Sequence, residues 1–282
     1  MFRLLTYNIL QGGRGRSQAI AAVINWCAPD LVMVQEATDP ATLERIAEAS
    51  GMAEWQCYRR QSLGFLSRRP VVFSKWTRPR LSKHAFIEVV PWGEEVRVFG
   101  VHLSAVHAAW TERRRVMELR SLLRTVEEHE PGFHVLAGDF NTVAPDEPLD
   151  FTALPLRLRP LLWLSGGRIR WRTIQTVLDA GYVDGYRLKH GSVPGPTLPT
   201  TNPHVRLDYV FVPQGFAQRV VACDVVRHED AVRASDHFPL VVDLLTAKEV
   251  SGQIEAIHER GAAPRVRDAD VTGRNSNRKD PS

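Results

Sequence analysis

The stretch His134 to Asn141, HVLAGDFN, decides how this chain is to be read. Val135, Leu136 and Ala137 form an apolar run that leads through Gly138 to Asp139, Phe140 and Asn141. That is the pattern of a buried strand ending in a carboxylate and a carboxamide. Side chains at i and i+2 of an extended segment share a side, so Asp139 and Asn141 are expected to meet one ligand while Phe140 turns away. Gly138 lacks a Cβ and lets backbone or substrate come close. A plain strand end followed by a polar turn would use the same residues. The other strand ends of the chain therefore settle the choice.

Outward from this stretch the design recurs. Residues 3–9 form a strand pattern carrying Asn8, and Leu31 to Val34 runs into Gln35-Glu36. Residues 84–90 and 95–103 flank a Pro91-Trp92-Gly93 turn, the second ending on His102. Arg206 to Val212 carries Asp208, Val220 to Val226 is a further strand, and Ser235-Asp236-His237 precedes a last one, Pro239 to Leu245. At least one strand pair is expected within 53–75. Apolar spacing predicts helices over Gln18–Trp26 with Ser17 as cap, over Pro40–Ala49 ending at Ser50-Gly51, over Thr111–Glu128, and near Ile174–Ala180. Arg113, Arg114, Arg115 and Arg120 read as the solvated side of the third. Residues 142–200 are the least informative, with a Pro- and Arg-rich insertion and a Pro/Gly/Thr loop at 191–203.

Composition sets the bounds. With 282 residues, 44% hydrophobic and 24% charged, the chain has an ordinary globular make-up. After Thr246 the pattern changes, so residues 1–246 are expected to form one domain. Residues 247–282 are expected to be a disordered tail with at most a short helix at 248–258. No apolar run approaches a membrane span, and the N-terminus does not resemble a signal peptide. The three cysteines are dispersed and form no CxxC pair, which suits reduced thiols in a cytoplasm and argues against a structural zinc site. A net charge of +4 permits an anionic partner without requiring one. All but five of the 36 basic residues are arginine, which suits phosphate recognition but equally reflects genome composition. Gln11 to Arg16, QGGRGR, lacks the GK[ST] ending of a phosphate-cradling loop, so Arg14 and Arg16 are expected to be solvated rather than to touch a phosphate.

The polar strand ends carry the chemistry: Asn8, Glu36, His102, Asp139 with Asn141, Asp208, and Asp236 with His237. Four carboxylates brought together would repel one another and cost several kcal/mol in desolvation. A divalent cation removes that cost, and oxygen donors select a hard ion, Mg²⁺ or Mn²⁺.

The ordered set TYN, VQE, HLS, GDFN, RLDYVFV and SDH resembles the endonuclease/exonuclease/phosphatase superfamily with its DNase I-like fold, over residues 1 to about 245. The resemblance implies an α+β chain built as a two-sheet β-sandwich flanked by helices, in four α/β/β/α layers, with the motif residues at one edge around one or two metal ions. It implies Glu36 as the principal metal carboxylate, with Asn8, Asp236, Asp139 and Asn141 nearby. Asp139 would orient or deprotonate the attacking water, and Asn141 would hold the phosphate or that water. His237 would contact the scissile phosphate with Asp208 fixing its tautomer, and His102 would make another phosphate contact.

Two departures stand out. Some nucleases of this fold pair the HLS histidine with an earlier glutamate, and around GFLSRRP the nearest polar candidate is Gln61. No strongly basic strand or aromatic ladder marks a nucleic-acid groove. His102 and His107 do not share a helical face, and Ser235-Asp236-His237 are adjacent residues that cannot form a serine-hydrolase triad. The expected function is a metal-dependent phosphoesterase acting by water attack on a phosphodiester or phosphomonoester. The competing readings are a DNA or RNA nuclease specifically, and a non-catalytic phosphate-binding module. The module reading is weakened because no ligand position is missing.

Overall fold

The computed structural model describes residues 1–79, 82, 84–105, 109–127, 132–145, 147 and 171–252. Strand alternation builds its centre. Along β1 (Phe2–Asn8) and β2 (Leu31–Gln35), Phe2, Leu4, Leu31 and Met33 face one core while Leu5, Tyr7, Val32 and Val34 face another. Along β8 (His134–Asp139), Val135 and Ala137 join the first core and Leu136 faces a third. Strands buried on both faces read as unbroken apolar runs rather than alternating ones. Each such buried aliphatic or aromatic side chain contributes about 1.5–3 kcal/mol relative to exposure.

Two six-stranded sheets result. The first also contains β3 (Glu54–Cys57), β4 (Leu63–Ser67), β11 (Val220–Val225) and β12 (Leu240–Leu244), in the order β11-β12-β1-β2-β4-β3. The second holds β5 (Val71–Thr77), β6 (Phe86–Pro91), β7 (Arg97–His102), β9 (Tyr182–Asp184) and β10 (Asp208–Pro213), in the order β5-β6-β7-β8-β10-β9. Their inner faces share one core, in which Leu4, Met33 and Phe65 meet Ile87, Val98 and Val210. Helices α1 (Ser17–Cys27), α2 (Pro40–Ser50) and α6 (Glu229–Ala234) cover the outer face of the first sheet through Ile20, Ile24, Leu43, Ile46 and Ala231. Helices α3 (Ala109–Glu127) and α4 (Arg172–Asp179) cover the second through Leu119, Leu122, Ile174 and Val177. The four-layer α/β/β/α sandwich is the one the sequence motifs imply.

Register decides which ends meet. β1 runs parallel to β2, Asn8 beside Gln35, and antiparallel to β12, Thr6 beside Leu240. β7 runs parallel to β8, His102 beside Asp139, and β10 runs antiparallel to β8, Asp208 beside Asp139. The C-terminal ends of β1, β2, β7 and β8 therefore share an edge with the N-terminal ends of β10 and β12. Gly138 is required where β7 and β8 touch: a Cβ there would lie 1.9 Å from the Val101 carbonyl oxygen. The close approach is by backbone, not by substrate.

Several expectations need correction. Ser17 is the first residue of α1 and Arg16 holds the cap position, without a side-chain cap bond. Arg14 and Arg16 are not simply solvated: Arg14 Nε donates to Asp39 at 3.0 Å, and Arg16 binds the carbonyls of Leu10 and Ala234. Arg115 is 1% exposed, donating to Glu112 Oε2 at 2.8 Å and to the Ser104 carbonyl at 2.9 Å. Successive helix residues are about 100° apart, so Arg113, Arg114 and Arg115 cannot share one solvated side. β9, α5 (Gly185–His190) and α6 are short elements the sequence pattern did not single out. Residues 247–252 are helical, where a short helix was expected at 248–258. His107, residues 148–170 within the uninformative stretch and residues 253–282 of the tail lie outside the described residues. Among the described residues, no helix is long and apolar enough to cross a membrane.

Cys27, Cys57 and Cys223 are free and buried, and burial pushes the first two thiols up to about 12 and the third well above its ordinary value. Because the thiolate is the reactive form, a thiol reagent should label none of them in the native protein and all three after denaturation. Rapid labelling of a native cysteine would contradict this packing.

Candidate active site

Each polar group sits where its strand leaves the apolar core. Asn8 closes β1 and is 2% exposed. Its Oδ1 accepts from the Leu10 amide at 3.0 Å, which leaves Nδ2 to donate to Glu36 Oε1 at 3.4 Å and Asp139 Oδ2 at 3.1 Å. One amide thus joins carboxylates from two sheets. Glu36 follows β2 with φ 58°, a left-handed conformation that is strained for a residue with a Cβ. Its Oε2 accepts from the Gln11 amide at 2.5 Å. Non-glycine residues in this region cost of order 1–3 kcal/mol and gather at functional sites.

Asp139 ends β8 and is 1% exposed. The Asn141 amide donates to its Oδ1 at 2.8 Å, and Asn141 Nδ2 donates to its Oδ2 at 3.2 Å and to the Leu103 carbonyl at 2.9 Å. Asn141 has φ 51°, so it folds back on Asp139 instead of continuing the extended alternation. Phe140 turns away as expected, packing edge-on against Tyr209 and Phe211. Burial first, and the Asp208 charge second, hold the Asp139 carboxyl well above the usual carboxylate range.

Asp208 opens β10 and is 1% exposed. Its Oδ2 lies 2.8 Å from His237 Nδ1, while its buried Oδ1 has no hydrogen-bond partner among the described residues. Burial opposes a charge on His237. The Asp208 charge and hydrogen bond, with Asp139 and Asp236 behind them, more than offset this and raise its pKa. Asp236 is half-buried beside it, 3.4 Å from Ser235 Oγ. His102 Nε2 lies 3.9 Å from Asp139 Oδ2. All the strand-end groups singled out in the sequence therefore reach one edge of the sandwich.

Among the described residues, ligand atoms of Asp139, Asp208 and His237 lie within 4.8 Å of one another and could hold a metal ion. His237 Nδ1 and Asp208 Oδ2 are already spent on each other, so the remaining donors are oxygens: Asp208 Oδ1, Asp139, and Glu36 across Asn8. Oxygen donors around uncompensated buried negative charge fit a hard divalent cation.

His84 and Ser62, close to the site, escaped the sequence reading. Gln61, the candidate companion of His102, instead accepts from Arg78 at 3.2 Å. The ring stacked on His102 is His84, at 4.8 Å between centroids and 22° between planes, with Ser62 Oγ 2.8 Å from His84 Nδ1. Counting along the β6–β7 ladder, where Ile87 faces Gly100, places residue 84 beside the end of β7, so register was the signal. Ser235 also proves structural: its hydroxyl donates to the Asn8 carbonyl at 2.6 Å and accepts from the His237 amide at 3.3 Å.

The sequence matches the model described as "Endonuclease/Exonuclease/phosphatase family" over residues 5–237. Comparison with curated proteins finds no match. Among solved structures, the chain is similar to a 3' phosphatase from Neisseria bound to product DNA hairpin, with a TM-score of 0.68 and 18% identity, covering 87% of this chain and 100% of that one. It is similar to an AP endonuclease from Archaeoglobus fulgidus, with a TM-score of 0.67 and 18% identity, covering 86% and 99%. An endonuclease/exonuclease/phosphatase from Beutenbergia cavernae gives a TM-score of 0.62 and 24% identity, covering 87% and 71%. At these identities the structural likeness speaks for the fold.

Proposed function

The chain belongs to the endonuclease/exonuclease/phosphatase family, and from that premise we propose that it hydrolyses phosphate ester bonds by direct attack of water, with Mg²⁺ or Mn²⁺ as cofactor. The observation that carries this reading is the buried Asp139–Asp208–His237 cluster, joined through Asn8 to Glu36. Glu36, Asp139 and Asp236, with the free Oδ1 of Asp208 and the side-chain carbonyl of Asn141, are the groups that would hold the ion, while Asn8, its Oδ1 taken by the Leu10 amide, positions Glu36 and Asp139 through Nδ2. When bound, such an ion offsets the carboxylate charge and stabilises charge on the phosphate and leaving oxygens.

The protein's own groups do the rest. Asp139, its proton affinity raised by burial and by Asp208, is suited to take a proton from water. The two bonds from Asn141 fix its carboxylate plane. Asp208 occupies Nδ1 of His237, which leaves Nε2 to donate to a phosphate oxygen, and it favours the charged ring. His102 would add a second donor on the other side of Asp139. Preorganised donors of this kind act in a water-poor site without reorganisation.

Exposed side chains favour the nuclease as second reading. Tyr58, Arg59 and Arg60 project from the β3–β4 turn, and Arg78 donates to the Arg60 carbonyl at 3.3 Å. This turn leads into Ser62 and so adjoins the His84–His102 stack. The similar Neisseria protein is bound to product DNA hairpin. A substrate panel tests both readings: EDTA should abolish turnover and added Mg²⁺ restore it. Release of inorganic phosphate would favour the monoesterase, and plasmid nicking the nuclease. In the nuclease case, replacing Arg59, Arg60 and Arg78 by Ala should flatten the salt dependence of binding by about 0.9 in log–log slope for each phosphate no longer neutralised. Metal-independent turnover would sink the proposal.

A further inference from the structure

Asp208 opens β10 of one sheet and His237, 29 positions on, lies in the segment leading into β12 of the other, yet their side chains stand 2.8 Å apart. Sheet-to-sheet packing through apolar side chains sets a spacing but does not fix a hydrogen bond, so something must lock the two backbones together. The loop before β10 does so. The Thr197 hydroxyl accepts from the amide of Leu207, the residue before Asp208, at 3.1 Å. The Thr197 carbonyl accepts from the amide of Phe238, the residue after His237, at 2.7 Å. Thr197 is itself fully buried, and its own amide donates to the Val205 carbonyl at 2.8 Å. Thr200 reinforces the second attachment: its amide donates to the Asp236 carbonyl at 2.8 Å and its hydroxyl to the Ser235 carbonyl at 2.9 Å.

We propose that Thr197 is a positioning residue for the reaction, one residue whose side chain and main chain hold the neighbours of both members of the Asp208–His237 pair. The proposal rests on the phosphoesterase reading above. The bond from the Leu207 amide requires an oxygen on this side chain, since the main-chain carbonyl is used for Phe238. Valine has nearly the same shape but supplies no acceptor there. Serine keeps the oxygen and loses a methyl group. The three residue types therefore separate position from packing.

The test uses the full-length protein. Thr197→Val should lower kcat about 10- to 100-fold, the scale on which a displacement of about 1 Å acts, with KM changed less than about twofold. The low-field proton resonance of His237 Nδ1–H should broaden or move upfield in the same variant. Thr197→Ser should recover most of both. Thr173→Val, the same substitution at a buried threonine in α4 away from the site, should leave both unchanged. Retention of kcat and of the resonance in Thr197→Val would overturn the proposal, as would an equal loss in Thr197→Ser. If Thr197→Val does not fold, hydrogen exchange in the wild-type protein decides. The Leu207 and Phe238 amides should be strongly protected, and exchange as fast as exposed loop amides would overturn it. Unchanged turnover in His237→Ala would instead condemn the phosphoesterase reading, while the resonance and exchange measurements would still decide the tether.

Discussion

Asp139→Asn is expected to lose about 10²–10⁴ in kcat, the usual contribution of a positioned general base, while its thermal midpoint stays level or rises. The physical reason is electrostatic. Asp139 and Asp208 are two buried carboxylates facing a single imidazole, and the Asp208 charge is among the causes that make ionisation of Asp139 unfavourable. The amide removes that repulsion at nearly constant volume, which offsets the bonds from the Asn8 and Asn141 side-chain amides that its NH₂ cannot accept. Sites of this kind commonly trade stability for activity. His237→Ala should also lose most of its activity, yet with the opposite effect on stability. Asp208 would be left buried without its cation, and breaking a buried pair typically costs about 3–5 kcal/mol. Thermal or denaturant unfolding of both variants, measured in EDTA beside steady-state assays in Mg²⁺, separates the two signs. Wild-type turnover in Asp139→Asn would end the assignment of Asp139 as base.

Gly138→Ala should be among the most damaging single-methyl changes in the chain. The added Cβ would lie 1.9 Å from the oxygen, 2.7 Å from the carbon and 2.9 Å from the nitrogen of Val101, all backbone atoms, at a φ of 154°. A flexible side chain could step aside, but a central strand cannot do so without breaking the pairing that sets His102 beside Asp139. We expect a loss of about 3 kcal/mol or more, at the upper end of overpacking effects, together with loss of activity from the altered register. Gly215→Ala is the control, because nothing lies within 4 Å of its Cβ position. Denaturant titration of both proteins gives the comparison, and equal stability would mean that β7 and β8 do not approach as closely as described.

Much of the fold was legible because burial leaves a local trace. Leu31 to Val34 and Val135 to Ala137 read as continuous apolar runs since both faces of those strands are covered, and Gly51 marks the end of α2 because the chain there takes a left-handed turn. The site was legible for a related reason: a buried carboxylate or amide at a strand end serves no packing purpose, so Asn8, Asp139 and Asp208 stand out against their apolar neighbours. Arg115 misled for the converse reason. A charged residue on a helix usually faces water, and its bonds to Glu112 and Ser104 show what holds this one inside.

The sequence by itself determined most of the strands, the principal helices and the identity of the polar groups at the strand ends, because these follow from interactions within one element and from residue type. Tertiary structure alone decided which of those groups touch. Asn8 reaches Asp139 across 131 positions, His84 rather than Gln61 lies on His102, and Thr197 joins the backbones behind Asp208 and His237. Such pairings depend on strand register and on how two sheets are laid face to face, and a hydrogen bond fails within an ångström of misplacement. Periodicity along one strand constrains neither.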